Sequence, residues 1–494
     1  MTYDGAITTI VDRDVRDRAA RRLGRAGVVL PTFAELTSPS IIPDARSTAL
    51  RSADPDRPDP VNLFRMHWYN DRSRAGLATS PCHLVFPPSL TGVRSPIVMA
   101  LGCFFPMIRA HKVLAAYGCL VPYLVTGRLD PARHKAVWPS TGNYCRGGVA
   151  ISRILDCRAI AVLPDGMSEE RIEWLRAWVP HPEDIVRTPG SESNVKEIYD
   201  RCAELARDPA NVVLNQFAEF GNYVAHYACT GPALACLFDA LRAARPDLRL
   251  AAFVAASGSA GTLAAGDYLK NEYGARIVVA EASECPTLLR NGFGEHNIQG
   301  IGDKHVPYIH NVMNTDIVVG VSDRCTGALD LLFNSSAGLS YLADRRYIDP
   351  QLLAELKFIG DSGIANLVAA IKTAKRLDLG EEDAIVTVAT DSAALYGSER
   401  GGFLQVRYPD GFDLVGAGEV FGQHMLGAVD NEVLELTHNE RSRIFNLGYY
   451  TWVEQQGVPL EAFERRRTQA FWAELRRAAP AWDALIAEFN AARI

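Results

Sequence analysis

The chain has no stretch of about 18 uninterrupted apolar residues, and Met1 to Asp14 carry charges where a secretory signal would be greasy. A membrane partner is therefore not expected, and the expected location is cytoplasmic. There is also no Cys-x-x-Cys pair and no Cys/His cluster at zinc spacing, so no metal site is expected. The ten cysteines, scattered from Cys82 to Cys325, read as reduced and mostly buried thiols. Cys82 and His83 are adjacent, but neighbours in sequence rarely point to one centre. Positive charge is in short supply too: 51 Lys and Arg face 58 Asp and Glu, for a net charge of −7. That balance disfavours a nucleic-acid partner, whose phosphates reward a basic face, and leaves small molecules as the expected ligands. Neither GxGxxG nor GxxxxGK[ST] occurs at a strand-to-helix turn, which argues against nucleoside phosphates. Internal repeats and low-complexity tracts are missing as well.

What is present is an ordinary soluble balance of 48% apolar and 22% charged residues over 494 positions. Single cores stop growing at about 250–300 residues, so more than one packing unit is expected. Residues 1–87 read as an N-terminal extension. Its segment Asp54 to Pro60 (Asp-Pro-Asp-Arg-Pro-Asp-Pro) excludes regular helix or a central strand, and Val11 to Leu23 reads as a solvated or partner-facing helix. From there to about residue 400, short apolar runs alternate with amphipathic stretches, the pattern of an α/β fold with a largely parallel sheet. Strands are expected at Ala159–Pro164, Leu250–Ala256, Arg276–Glu281 and Ala384–Ala389. Helices are expected at Ser168–Val179, with Ser168 as cap, and at Gly261–Tyr273 and Ile364–Leu377. Residues 401–494 read as a mostly helical C-terminal extension. Its Trp452, Phe463, Phe471, Trp472, Trp482 and Phe489 serve packing on the core or on a second subunit.

Chemistry concentrates in a few places. Ser257-Gly258-Ser259-Ala260-Gly261-Thr262 lies between a strand and a helix, where small residues and free N–H groups suit a phosphate. Ser140-Thr141-Gly142-Asn143 gathers two hydroxyls, a glycine and a carboxamide ahead of an apolar helix, which suits a carboxylate. Lys112 lies in an apolar, helix-forming stretch, where desolvation would make its amine a competent nucleophile. Lys135 is the rival amine. For each of these a plain structural role, a tight turn, a cap or a snorkelling stem, accounts for the same residues.

Ser140-Thr141-Gly142-Asn143-Tyr144 resembles the substrate loop of the fold type II (β-family) pyridoxal-phosphate enzymes, in the cysteine synthase and cystathionine β-synthase branch. Ala161 to Arg171 is similar to the strand and helix that follow that loop. Gln216-Phe217, His226-Tyr227, Thr230-Gly231-Pro232 and Ile298-Gln299-Gly300-Ile301-Gly302 resemble further segments in the right order, over about residues 88–400. The resemblance implies two open, twisted, mostly parallel sheets flanked by helices, with a smaller mobile subdomain at about 124–232, and a homodimer as the expected assembly. It implies pyridoxal 5'-phosphate as cofactor, with Lys112 as its covalent anchor and proton shuttle and Asn143 on its ring oxygen. It further implies Gly258, Ser259, Ala260, Gly261 and Thr262 on its phosphate and Ser392 facing its ring nitrogen. Ser140, Thr141, Tyr144 and Gln216 would surround the carboxylate of an amino-acid substrate. The implied reaction is β-elimination or β-replacement on a serine- or cysteine-type amino acid through an aminoacrylate. A serine/threonine dehydratase and a non-catalytic scaffold of the same fold are the alternatives. No paired regulatory modules follow residue 400, which argues against control by an adenosyl ligand. His111, Arg109, Tyr144, Cys145 and Arg146 depart from the pattern. Such bulky and cationic groups are expected to narrow or re-charge the substrate loop, with Arg146 pairing a second acidic group on the substrate.

Overall fold

Eleven strands carry the architecture of the computed structural model, which describes residues 5–140, 142–191 and 193–492. In chain order they are β1 (His83–Phe86), β2 (Ile97–Leu101), β3 (Lys135–Pro139), β4 (Arg158–Pro164), β5 (Ile185–Thr188), β6 (Asn211–Val213), β7 (Arg249–Ala256), β8 (Arg276–Ala282), β9 (Ile317–Val321), β10 (Asp383–Ala389) and β11 (Val433–Glu435). Seven form a large sheet in the order β1-β2-β10-β7-β8-β9-β11, and four form a small sheet in the order β5-β4-β3-β6. The small sheet is parallel throughout, and the large one is parallel except at its edges, where β1 and β11 run antiparallel to their neighbours. Central strands such as β2, with every residue buried, are continuous apolar runs because helices cover both faces. The edge strands come from outside the 88–400 span: β1 begins at His83 and β11 lies in the C-terminal segment.

The expected strands and helices all form, with shifts of a few residues at their ends. The helix expected from Ser168 runs Glu169–Trp178, and Ser168, although at the N-cap position, makes no side-chain cap bond. The N-terminal helix Arg13–Arg25, expected to be solvated or partner-facing, turns one face onto this chain's own core. Ala19, Ala20 and Leu23 are buried, and buried Arg16 donates from Nε to the Val125 carbonyl at 3.0 Å and pairs with Glu488 at 3.1 Å. The C-terminal aromatics pack on this same chain. Trp472 lies 4.8 Å from the Tyr223 ring, Trp452 donates to the Val306 carbonyl at 2.7 Å, and Trp482 donates to Ile7 at 2.6 Å. One continuous helix, Phe220–Ala244, has the length and apolarity of a membrane span, but most of it is buried against the core and the C-terminal helices. All ten cysteines are free thiols and eight are buried.

Candidate functional site

Parallel sheets place functional loops at the carboxyl ends of their strands, and three neighbouring strands of the large sheet do so here. β2 leads through Gly102–Phe104 to Lys112, the first residue of the helix Lys112–Val125. β7 runs into Ser257–Thr262 ahead of the helix Leu263–Tyr273, and β10 ends at Ala389, just before Thr390. The small sheet contributes the end of β3, where Ser140 and Gly142 precede the helix Asn143–Ile154. Between them lies an interior cleft lined by Lys112, Ser140, Asn143, Tyr144, Gln216, residues 258–262, Gln299, Ser362 and Thr390, with His111, Gly142, Phe217, Ala256, Gly300 and Ile301.

The Lys112 amine sits at the centre of this group. It donates to Ser259 Oγ at 2.8 Å and to Gln216 Oε1 at 3.0 Å. Burial lowers its pKa from 10.5 to about 8, opposed in part by the negative charge of Asp303. Some of the residue's surface remains open to the cleft, but protein atoms crowd the amine, which is what desolvates it. Lys135 is not a rival: it begins β3, away from the cleft, with Asp208 3.9 Å away.

The glycine loop forms a cradle. None of the backbone N–H groups of residues 258–262 has an acceptor among the described residues. Ala260 adopts a left-handed conformation (φ 64°), so successive amides turn toward a common concavity of the kind that binds anions. Two glycines are required by close approach. A Cβ on Gly258 would lie 2.5 Å from the Gly300 carbonyl oxygen, and one on Gly261 would lie 2.1 Å from Asn222 Oδ1. The following helix adds its amino-terminal dipole. These donors fit a phosphate, and the amine beside them fits a carbonyl partner.

Asn143 is held at both ends. Its Oδ1 accepts from Arg146 Nη1 at 2.8 Å, and its Nδ2 donates to Asp391 Oδ2 at 2.5 Å. Ser140 Oγ accepts the Gly142 amide at 2.8 Å, and the Tyr144 hydroxyl is turned away from the cleft to the Leu214 carbonyl at 3.0 Å. Thr141 lies outside the described residues. Two expected site residues are not among those lining the cleft. Ser392 is buried just beyond Thr390, and Arg146 is buried with its guanidinium 4.9 Å from the Trp174 ring centre. Arg146 therefore does not re-charge the loop as expected, because its charge is directed at Asn143 and an indole face. Of the other departures two are turned elsewhere, and His111 lines the cleft with its Nε2 3.4 Å from Thr262 Oγ1. Cys145 packs inside, Arg109 pairs with Asp56 at 2.8 Å on the surface, and His111 is buried edge-on to His226, with desolvation holding it neutral.

Sequence reasoning missed several participants. Asn222 braces Ser259 (Nδ2 to Oγ, 3.0 Å), and Ser362 bonds Thr390 at 2.8 Å in the cleft wall. Gln299 and Arg171 both lay within recognised segments, at the heart of Ile-Gln-Gly-Ile-Gly and at the end of Ala161 to Arg171, yet no role was read for either. Fully buried Arg171 donates to Gln299 Oε1, to the Tyr396 hydroxyl and, at 3.3 Å, to Asp391 Oδ2.

Comparison with known proteins identifies a family and a fold. The family described as "Pyridoxal-phosphate dependent enzyme" matches residues 103–391. A probable cysteine synthase of Bacillus subtilis is 29% identical over 296 residues, covering 59% of this chain and 86% of that protein. Cystathionine beta-synthase of Saccharomyces cerevisiae is 26% identical over 292 residues, covering 55% of this chain and 51% of that one. Among solved structures, the O-acetylserine dependent cystathionine beta-synthase from Helicobacter pylori superposes with a TM-score of 0.52 at 22% identity, over 67% of this chain and 96% of the other, a likeness of fold.

Proposed function

Because the chain belongs to the pyridoxal-phosphate dependent enzyme family, we propose that it eliminates or replaces the β-substituent of a serine- or cysteine-type amino acid, as its cysteine synthase and cystathionine β-synthase relatives suggest. The single observation that carries this reading is the Lys112 amine, 2.8 Å from Ser259 in a cradle of five acceptor-free amides. Pyridoxal 5'-phosphate supplies an electron sink for a carbanion at the substrate Cα.

The rest is the work of the chain's own groups. The amides of residues 258–262 would hold the phosphate, and Lys112 would hold the aldehyde carbon. Lys112 would also serve as the base for the Cα proton, and burial suits it, since a pKa of about 8 leaves a useful neutral fraction near neutral pH. Asn143 would donate to the ring oxygen with the Nδ2 hydrogen that Asp391 leaves available. Ser140, Thr141 and Gln216 would receive the substrate carboxylate at the start of the helix Asn143–Ile154, with Tyr144 contributing its ring alone. On the side of the cleft where the ring nitrogen would be held, the lining side chains Ser362 and Thr390 are neutral hydroxyls with Ser392 just beyond them, while the Asp391 carboxylate is engaged by Arg171, Tyr396 and Asn143. A ring without a carboxylate partner is a weaker sink, which favours expulsion of a β-substituent over transamination. A cytoplasmic homodimer completes the proposal, two-fold pairs being the commonest assembly.

The test is to load purified protein with the cofactor, offer it a panel of β-substituted alanines with and without thiol nucleophiles, and identify products by mass. Loss or exchange of the β-substituent is expected, abolished in Lys112→Ala. Turnover of threonine and unactivated serine alone would overturn the assignment in favour of a dehydratase, and no turnover of any amino acid would favour a scaffold.

A further inference from the structure

The helix Glu169–Trp178 belongs to the small-sheet layer, yet its first turn is bonded across the cleft to the large-sheet layer. Glu170 accepts from Ser398 at its backbone N–H and at its hydroxyl, both at 2.7 Å. The Ser168 amide donates to Gln299 Oε1 at 3.2 Å, the same oxygen that Arg171 reaches. Arg171 extends further, to Tyr396 and Asp391, with its guanidinium 4.7 Å from the centre of the Tyr396 ring. The Tyr396 hydroxyl in turn donates to Asp391 Oδ2 at 2.7 Å. Arg171 also backs the substrate loop, because a Cβ on Gly142 would lie 3.4 Å from its guanidinium carbon.

The orientation of Asn143 follows from the chemistry of its partners. A guanidinium can only donate and a carboxylate can only accept, so Arg146 must meet Oδ1 and Asp391 must meet Nδ2. The reverse orientation would leave both contacts unsatisfied in a buried place. Asp391 keeps its own position through Arg171 and Tyr396, and the oxygen that receives Asn143 is the one they hold.

We propose that Arg171 is a positioning residue: it clamps the small-sheet layer over the cleft and, through the Asp391 oxygen it shares with Asn143, fixes the direction in which that carboxamide points. The second half of this statement rests on the proposed cofactor, and the first half does not.

The test compares full-length wild-type protein with Arg171→Met, Asn143→Ala and the double variant. One measurement is the dissociation constant for pyridoxal phosphate, and the other is amide hydrogen exchange over residues 169–178, with and without cofactor. Arg171→Met is expected to weaken cofactor binding and to speed exchange, each by roughly tenfold or more, whereas Asn143→Ala weakens binding alone. If one residue acts through the other, the double variant binds no more weakly than the weaker single variant, a coupling that general loosening would not produce. Losses that multiply in the double variant, or exchange that stays unchanged in Arg171→Met, overturn the proposal. Tyr396→Phe removes one hydroxyl from the clamp and is expected to move both readouts the same way by about threefold, so the question is decided even if Arg171→Met does not fold. Wild-type protein that binds no cofactor would contradict the proposed function, and exchange would still decide the clamp.

Discussion

Lys112 is a lysine whose proton is loosely held. Burial brings its pKa from 10.5 to about 8, so its neutral fraction grows as pH rises through about 8. The rate at which cofactor-free protein captures pyridoxal phosphate is therefore expected to climb up to about pH 8 and level off above it, as followed by stopped-flow absorbance. A rate that keeps climbing toward the ordinary lysine range near pH ~10 would show an amine exposed to water. That Lys112 lies in the cleft was legible, because an amine in an apolar stretch with a matching order of loops leaves few other candidates. Arg146 was misread for a physical reason. Sequence shows a cation next to a binding loop, but which way a buried guanidinium turns is set by Asn143, three residues earlier on its own helix, and by Trp174 on the separate helix Glu169–Trp178. Arg146→Ala is accordingly expected to lower cofactor affinity by releasing Asn143, with no preference between acidic and neutral substrates. A selective loss for acidic substrates in steady-state kinetics would restore the earlier expectation.

The cradle between β7 and the helix Leu263–Tyr273 shows what an element adds to its residues. Gly258 faces a backbone carbonyl and Gly261 faces the Asn222 side chain, so alanine at either position forces a collision of a different kind. Gly258→Ala must move the main chain at Gly300, and is expected to cost about 1–3 kcal/mol of stability, measured by denaturant unfolding, and to weaken phosphate binding. Gly261→Ala can displace Asn222 instead, which breaks its 3.0 Å bond to Ser259 and should harm cofactor affinity more than stability. The strand-to-helix alternation was readable because apolar period and turn chemistry agree along the core. The partners of these glycines were not, since Gly300 and Asn222 arrive from distant segments and nothing local announces them. The same holds for the clamp, whose members lie on four separate pieces of chain.

Across the molecule, the two terminal segments are part of the packing. The C-terminal helices grip the segment that follows Gln299 in the cleft wall: Trp452 donates to Val306, Arg466 donates to the Tyr308 carbonyl at 2.5 Å, and Gln469 exchanges two bonds of 3.0 Å with Asn311. Trp472 is fully buried against Phe220 and Tyr223, so Trp472→Ala is expected to destabilise the protein by about 3–5 kcal/mol, read from chemical unfolding. A change within ~0.5 kcal/mol would mean that the extension is a loose appendage. The aromatic content of this segment was visible in the sequence, but the surface it covers could be known only once the fold had brought residues 220–223 and 306–311 together. All of these layers converge on a single covalent expectation. Reducing the cofactor-loaded protein with borohydride and mapping the adduct by peptide mass spectrometry should place a phosphopyridoxyl group on Lys112. An adduct on Lys135 or any other lysine, or none at all, would contradict the account at its centre.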